Sequence, residues 1–232
     1  MNVGPRNPYL ADSVNAMAHG RGDQQDNTAG PGPSGPTETL GPDDIQYSWL
    51  GPGHFGGNIS SPYPDGRRVI WSNGRQTIAK LDYDTLEVLA TLPTGDQPVT
   101  PVDELQGHID GLDTLTGQDA IEHAIVLALN YMVGLDGVYA LVDCDNTLFV
   151  GRTDCVVAFG DTTAGDRHSP IAELARWDKP AHIEGAFVGI IITFDGHLVL
   201  STDHGWIVAL TRDFSHNTAI RLPGAEEQAA AH

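Results

Sequence analysis

Apolar and polar residues alternate along this chain in short runs, and three of those runs superimpose on one another. They are Asp65-Gly-Arg-Arg-Val-Ile-Trp-Ser-Asn-Gly-Arg-Gln-Thr-Ile-Ala-Lys-Leu-Asp82, Asp145-Asn-Thr-Leu-Phe-Val-Gly-Arg-Thr-Asp-Cys-Val-Val-Ala-Phe-Gly-Asp161 and Asp195-Gly-His-Leu-Val-Leu-Ser-Thr-Asp-His-Gly-Trp-Ile-Val-Ala-Leu-Thr-Arg-Asp213. Each opens on an Asp-Gly or Asp-Asn turn and continues as an apolar strand. A polar turn and a second apolar strand follow, which is the grammar of a β-hairpin. Repetition of such a hairpin at intervals of tens of residues is the mark of a blade array.

Extending the alternation to either side of each hairpin predicts an all-β chain of about three four-stranded blades, a β-propeller segment. The first blade spans strands near 55–62, 67–72, 77–82 and 86–92. The second spans 137–143, 147–152, 155–160 and 171–177, and the third 186–194, 197–202, 206–212 and 217–222. The Asp65 to Asp145 interval is 80 residues and the Asp145 to Asp195 interval only 50. The excess predicts a helical insertion at about 105–134, where Ile121, Ile125, Ala128, Leu129 and Met132 recur at helical spacing. Residues 1–44, rich in Gly and Pro, read as an extended arm, 45–50 as one orphan strand, 45–223 as the propeller segment, and 224–232 as a tail. Three blades leave two open flanks, whereas propellers close with about four to eight. The expectation is therefore a second polypeptide that completes the ring, with a homodimer as the alternative, and a lone chain that aggregates.

The repeats, notably Val138-Tyr-Ala-Leu-Val-Asp-Cys-Asp-Asn-Thr-Leu-Phe-Val-Gly151 and Val156-Val-Ala-Phe-Gly-Asp161, resemble those of the quinoprotein-like (PQQ-repeat) propeller superfamily. The resemblance covers about residues 45 to 222 and implies the fold. That superfamily includes quinone-dependent dehydrogenases as well as assembly scaffolds. The dehydrogenase pattern has an adjacent Cys-Cys pair over the quinone, and this sequence has none, so no PQQ is expected.

A net charge of -19, from 12 basic and 31 acidic residues, repels phosphate backbones and anionic lipid surfaces, so neither nucleic acid nor membrane is an expected partner. The chain begins without an export-type apolar segment, which makes cytoplasmic the default expectation. Cys144 and Cys155 flank one short strand about 20 Å long and should remain free thiols. Ala140-Leu-Val-Asp-Cys-Asp-Asn-Thr-Leu148 imitates the nucleophile motif of haloacid-dehalogenase-like phosphatases. A late metal-binding motif only about 15 residues on leaves no room for the crossovers a parallel sheet needs.

In a propeller, the segments entering the innermost strands and the loops between second and third strands share one face, the mouth of the axial channel. Folding the repeats in register brings His54, Asp136, His182 and Glu184 to that face by the first route. By the second it brings Asn73, Arg75, Arg152, Asp154, Asp203 and His204. Two imidazoles and a carboxylate support acid–base chemistry, so His54, His182 and Glu184 are the candidate catalytic residues and the others candidate substrate contacts. The same donor types leave a divalent metal ion open as a cofactor. The expected activity is hydrolase- or lyase-like on a small organic substrate, and the competing reading is a non-catalytic scaffold for protein assembly.

Overall fold

The computed structural model describes residues 7–13, 16, 54–74, 77–94, 116 and 139–223. It contains three antiparallel sheets of four strands each, with sequential strands as neighbours throughout. The first sheet is β1 (His54–Ile59), β2 (Val69–Gly74), β3 (Thr77–Asp82) and β4 (Val88–Pro93). The second is β5 (Ala140–Val142), β6 (Leu148–Gly151), β7 (Cys155–Asp161) and β8 (Ile171–Asp178). The third is β9 (Phe187–Ile192), β10 (His197–Thr202), β11 (Trp206–Thr211) and β12 (Asn217–Arg221). Each expected strand finds its counterpart, most with ends shifted by up to about three residues. The expected orphan strand, the helical insertion apart from residue 116, and the tail lie outside the described residues, as does most of the arm.

One turn is built three times. The amides of Gly66, Asn146 and Gly196 donate to the carbonyls of Tyr63, Asp143 and Thr193, and those three residues pair onward with Arg67, Thr147 and His197. This is a type I turn followed by a left-handed residue, and φ is 80° at Gly66, 64° at Asn146 and 85° at Gly196. Only Gly and Asn adopt that conformation at low cost, which is why the repeats carry Asp-Gly or Asp-Asn there.

The sheets pack face to face in chain order. Val69, Trp71 and Ile78 of the first join Leu148, Val150, Val157 and Phe159 of the second in one buried cluster. On the other face of the second sheet, Phe149, Val156 and Ala158 join Leu198, Leu200, Val208 and Leu210 of the third. Both faces of the middle sheet are thus dry, and burying each such side chain contributes about 1.5–3 kcal/mol. β1 lies next to β5 and β5 next to β9, so the first strands of the three sheets stand side by side.

Charges cross both seams. Lys80, fully buried on β3, pairs with Asp161, donates to the Ser169 carbonyl at 3.0 Å and sits 5.5 Å from the Trp71 ring. The Tyr63 hydroxyl donates to the other Asp161 oxygen at 2.8 Å, and burial, then the Asp161 charge, pushes that phenol far above its usual pKa. Arg167, from the β7–β8 loop, reaches back to Asp82 at 2.7 Å and Asp65 at 2.6 Å. Arg212, from the β11–β12 loop, likewise reaches Asp143 at 2.7 Å and Asp145 at 2.9 Å.

The described part of the arm lies along β5. Ala11 donates to the Val142 carbonyl at 3.0 Å, Val142 to Ala16 at 2.7 Å, and Cys144 to Tyr9 at 2.9 Å. Asn7 Nδ2 donates to the Ile192 carbonyl at 2.7 Å and Ser13 Oγ to that of Ile59 at 2.7 Å. The arm thereby spans the ends of β9, β5 and β1 and satisfies a strand edge that would otherwise be open. This is the exit end of the first strands, opposite the predicted mouth.

Candidate functional site at the entry end

The β8–β9 connection and the β10–β11 turn meet at the entry end of the third sheet. Asp203 Oδ1 accepts the Ala186 amide at 2.8 Å, and the Asp203 amide donates to the Ala186 carbonyl at 3.1 Å. Gly185 lies between them at φ 83°, and a Cβ there would fall 2.1 Å from that same carboxylate oxygen. No other residue type fits without moving the turn, so glycine fixes the 180–186 segment on which two candidate residues ride. Lys179 holds the segment from below by donating to the Gly185 carbonyl.

On this support, Glu184 places one carboxylate oxygen 3.5 Å from the Arg221 guanidinium and 3.8 Å from His204 Nδ1. Both side chains of the His204–Glu184 pair are about half exposed, so solvent reaches them. His204 Nδ1 itself is buried and makes no hydrogen bond. His182 is exposed and its ring meets Trp206 edge to face at 5.8 Å. Trp206 is therefore a platform for an imidazole as well as a partly buried side chain of the blade cluster.

The other expected site residues divide by what already engages them. Asn73 is buried within 3.4 Å of the Asn58 amide, and Asp203 ties two loops together as above. The Asp154 carbonyl accepts from Lys179 at 2.8 Å. Arg152 is 4% exposed, and its Nε and Nη2 have no hydrogen-bond partner. Those two nitrogens form the side edge of the guanidinium that binds carboxylates in a fork. The His54 side chain, Arg75 and Asp136 lie outside the described residues. Among the described residues, no group of three His, Cys, Asp or Glu side chains is arranged to hold a metal ion.

Sequence reasoning missed a hollow at the exit end, opposite the expected mouth. A cavity of about 300 Å³ is lined by Tyr63, Cys144, Asp145, Asn146, Asp161 and Leu174, among others. The signal available in the sequence was Lys80, a lone cation inside an apolar strand, which requires a buried carboxylate nearby. Both cysteines are free, as expected. Burial, then Asp154, pushes the Cys155 thiol up to about 12, and burial also raises Cys144.

Three face-packed four-stranded sheets define the class of protein: an all-β, propeller-like chain. No family model and no curated protein matches it. Among solved structures it is similar to a catalytically inactive virginiamycin B lyase from Staphylococcus aureus with quinupristin. The identity is 16% and the TM-score 0.41, over 76% of this chain and 44% of that one. It is also similar to a protein of unknown function from Bacteroides caccae, at 12% identity and TM-score 0.37, over 72% and 47% of the two chains. The chain spans less than half the length of either, and similarity at this level carries nothing about a reaction. No helix among the described residues is long and apolar enough to cross a membrane.

Proposed function

We propose that the chain supplies three adjacent blades of a larger propeller and that the entry end of these blades is a small-molecule site with hydrolase- or lyase-like acid–base chemistry. The observation that carries this reading is the Glu184–His204 pair beside His182: a solvent-reached imidazole with a carboxylate 3.8 Å from one ring nitrogen. An imidazole beside a carboxylate that can close to hydrogen-bond distance when substrate binds is suited to take and return a proton. His54 is the proposed third imidazole, although it is the first residue of β1, paired with Gly74, whereas His182 lies in the connection ahead of β9. Arg152 supports an anionic substrate, because its free fork would anchor a carboxylate. A divalent ion is not required by this chemistry and remains compatible with it.

Ring completion by a second polypeptide, or by a second copy, belongs to the same reading. The resemblance of the repeats to the quinoprotein-like superfamily supports a closed ring but assigns no quinone. The test is turnover of a panel of small esters, lactones and hydroxy acids by the native particle, compared with its His182→Ala and His204→Ala variants. Loss of turnover at unchanged melting temperature supports the site. Equal turnover in all three proteins, or none in any, ends it.

A second reading, a scaffold for protein assembly, draws on the arm laid across the exit ends of β9, β5 and β1. On that reading the entry-end variants leave partner binding intact and no substrate is found.

A further inference from the structure

The seams follow a rule that stops short at the third blade. The first-turn aspartates Asp65, Asp145 and Asp195 occupy the same position in the three repeats. Asp65 is held by Arg167 from the β7–β8 loop of the next blade, and Asp145 by Arg212 from the β11–β12 loop of the next blade. Asp195 instead interacts with its own turn, through Thr193 Oγ1 and, at 3.3 Å, His197 Nδ1. Its side chain is 74% exposed.

The sheet behind Asp195 shows the same vacancy in packing. By turn register, Val69, Phe149 and Val199 are equivalent, each facing the blade that follows. Val69 is 0% and Phe149 1% exposed, whereas Val199 is only half-buried, as are Ala209 and Ile207 on the same side of the sheet. Val188, Ile220 and Leu222 extend this apolar area at 41%, 60% and 46% exposure. Burial by another sheet is what the corresponding positions receive at the two existing seams.

We infer that the outer face of the third sheet docks a further propeller blade, supplied from outside these 232 residues, whose loop between third and fourth strands carries an arginine that clamps Asp195. A second copy of this chain is the wrong occupant. It would present its first sheet, and the corresponding loop there, 83–87, contains Asp84 and Glu87 but no arginine. Two carboxylates would then approach Asp195 where the existing seams bring a guanidinium. Tyr83, the first residue of that loop, stands where Arg212 opens the β11–β12 loop. This inference rests on the ring reading above and fixes the chemistry of the blade that closes it.

The chain itself can be made into the probe. Tyr83 and Asp84 are exposed, so the double substitution Asp84→Asn with Tyr83→Arg gives the first blade the missing arginine while keeping the Thr85 hydroxyl that accepts the Glu87 amide. Sedimentation at micromolar concentration should show self-association strengthened roughly tenfold over the unsubstituted chain. Adding Asp195→Asn should remove the gain. No gain, or a gain that survives Asp195→Asn, overturns the inference, as does a dimer of the unsubstituted chain that forms through this face.

Carboxyl labelling of the native particle gives a second reading, needed if the variants aggregate. Asp195 should label at least about tenfold more slowly than the exposed Asp213. Equal labelling in a particle that does contain a companion defeats this inference alone. A native particle consisting of one folded 24.7 kDa chain defeats the ring reading itself.

Discussion

Replacing Lys80 by Met should be the most damaging single change at the seam between the first two sheets. The ammonium is fully buried, and Asp161, its partner, has a side chain only 7% exposed. Methionine keeps most of the volume, so packing changes little and the cost is electrostatic. Removing one member of a buried ion pair strands the other charge, which costs about 3–5 kcal/mol. In a domain of this size that lowers the melting midpoint by about 6–20 °C. Tyr63 still donates to Asp161 and offsets part of the loss, while the Ser169 carbonyl loses its donor. Adding Asp161→Asn neutralises the stranded charge and keeps an acceptor for Tyr63, so the double variant should recover about half of the loss or more. Urea unfolding followed by tryptophan fluorescence is a suitable assay, because Trp71 lies 5.5 Å from the ammonium. A Lys80→Met variant within about 1 kcal/mol of wild type, or a double variant as unstable as the sum of the singles, would refute the pairing as a stabilising element.

The acid side of the stability profile should depend on Arg167. Although burial alone would raise it, the amides of Thr85 and Asp84 together with Arg167 hold Asp82 below the usual carboxylate value of 3.8. Its contribution is therefore present above 3.8 and lost as pH falls through the lower folded value. Urea midpoints of Arg167→Ala and wild type should converge from about pH 6 down to about pH 2, and a constant gap between them would contradict the assignment. Cys155 behaves in the opposite sense: its raised thiol favours the folded state below 9.0 and ceases to do so as pH rises toward about 12. Iodoacetamide should label Cys155 only as fast as urea unfolds the protein, and rapid labelling of the native state would show the thiol to be accessible. Arg152→Met should raise stability by about 1–3 kcal/mol in the absence of ligand, since it removes unsatisfied buried donors. A destabilised variant would mean that the guanidinium has a partner in the native particle.

What the sequence disclosed was local, and what it concealed was pairwise and distant. Strand positions followed from alternation, and strand ends from Asp-Gly and Asp-Asn, because a left-handed residue in a three-residue hairpin turn leaves few alternatives. The seams were less legible. Lys80 and Asp161 lie 81 residues apart in the chain, and nothing in either local pattern names the other. Asp143 and Asp145 read as turn residues, which they are, and their second role as the seat of Arg212 depends on the next blade. Tyr9, Leu10 and Ala11 were submerged in an arm defined by its Gly and Pro content. Yet Tyr9 packs its ring 5.1 Å from Arg212 and lies where a side chain at position 196 would stand. At the entry end, the repeat register singled out Glu184, His182 and His204, and the structure brings Glu184 toward His204. The fork of Arg152 was visible only as a residue type, because its lack of a partner is a property of packing.

The two ends of the blades use polar groups in opposite ways. At the exit end, Asp82, Asp143 and Asp161 each meet a cation from a neighbouring blade, and the arm adds main-chain bonds to β5 and side-chain bonds to the ends of β9 and β1. Such pairs contribute less to net stability than equal apolar packing would, but a displaced blade strands their charges, so they fix one relative position of the sheets. At the entry end the donors are left over: the Arg152 fork, His204 Nδ1 and Trp206 Nε1 are buried without hydrogen-bond partners. Groups in that state carry a cost that an incoming hydrogen-bond partner removes, and the cost is tolerable because the other end holds the blades in register. A ligand bearing a carboxylate would therefore gain more at the entry end than its own hydrogen bonds suggest, since binding also relieves a penalty present in the empty protein. Substitutions at the exit end should consequently change stability first and ligand affinity second. Substitutions at Arg152 or His204 should weaken binding while leaving the fold as stable as before, or more so.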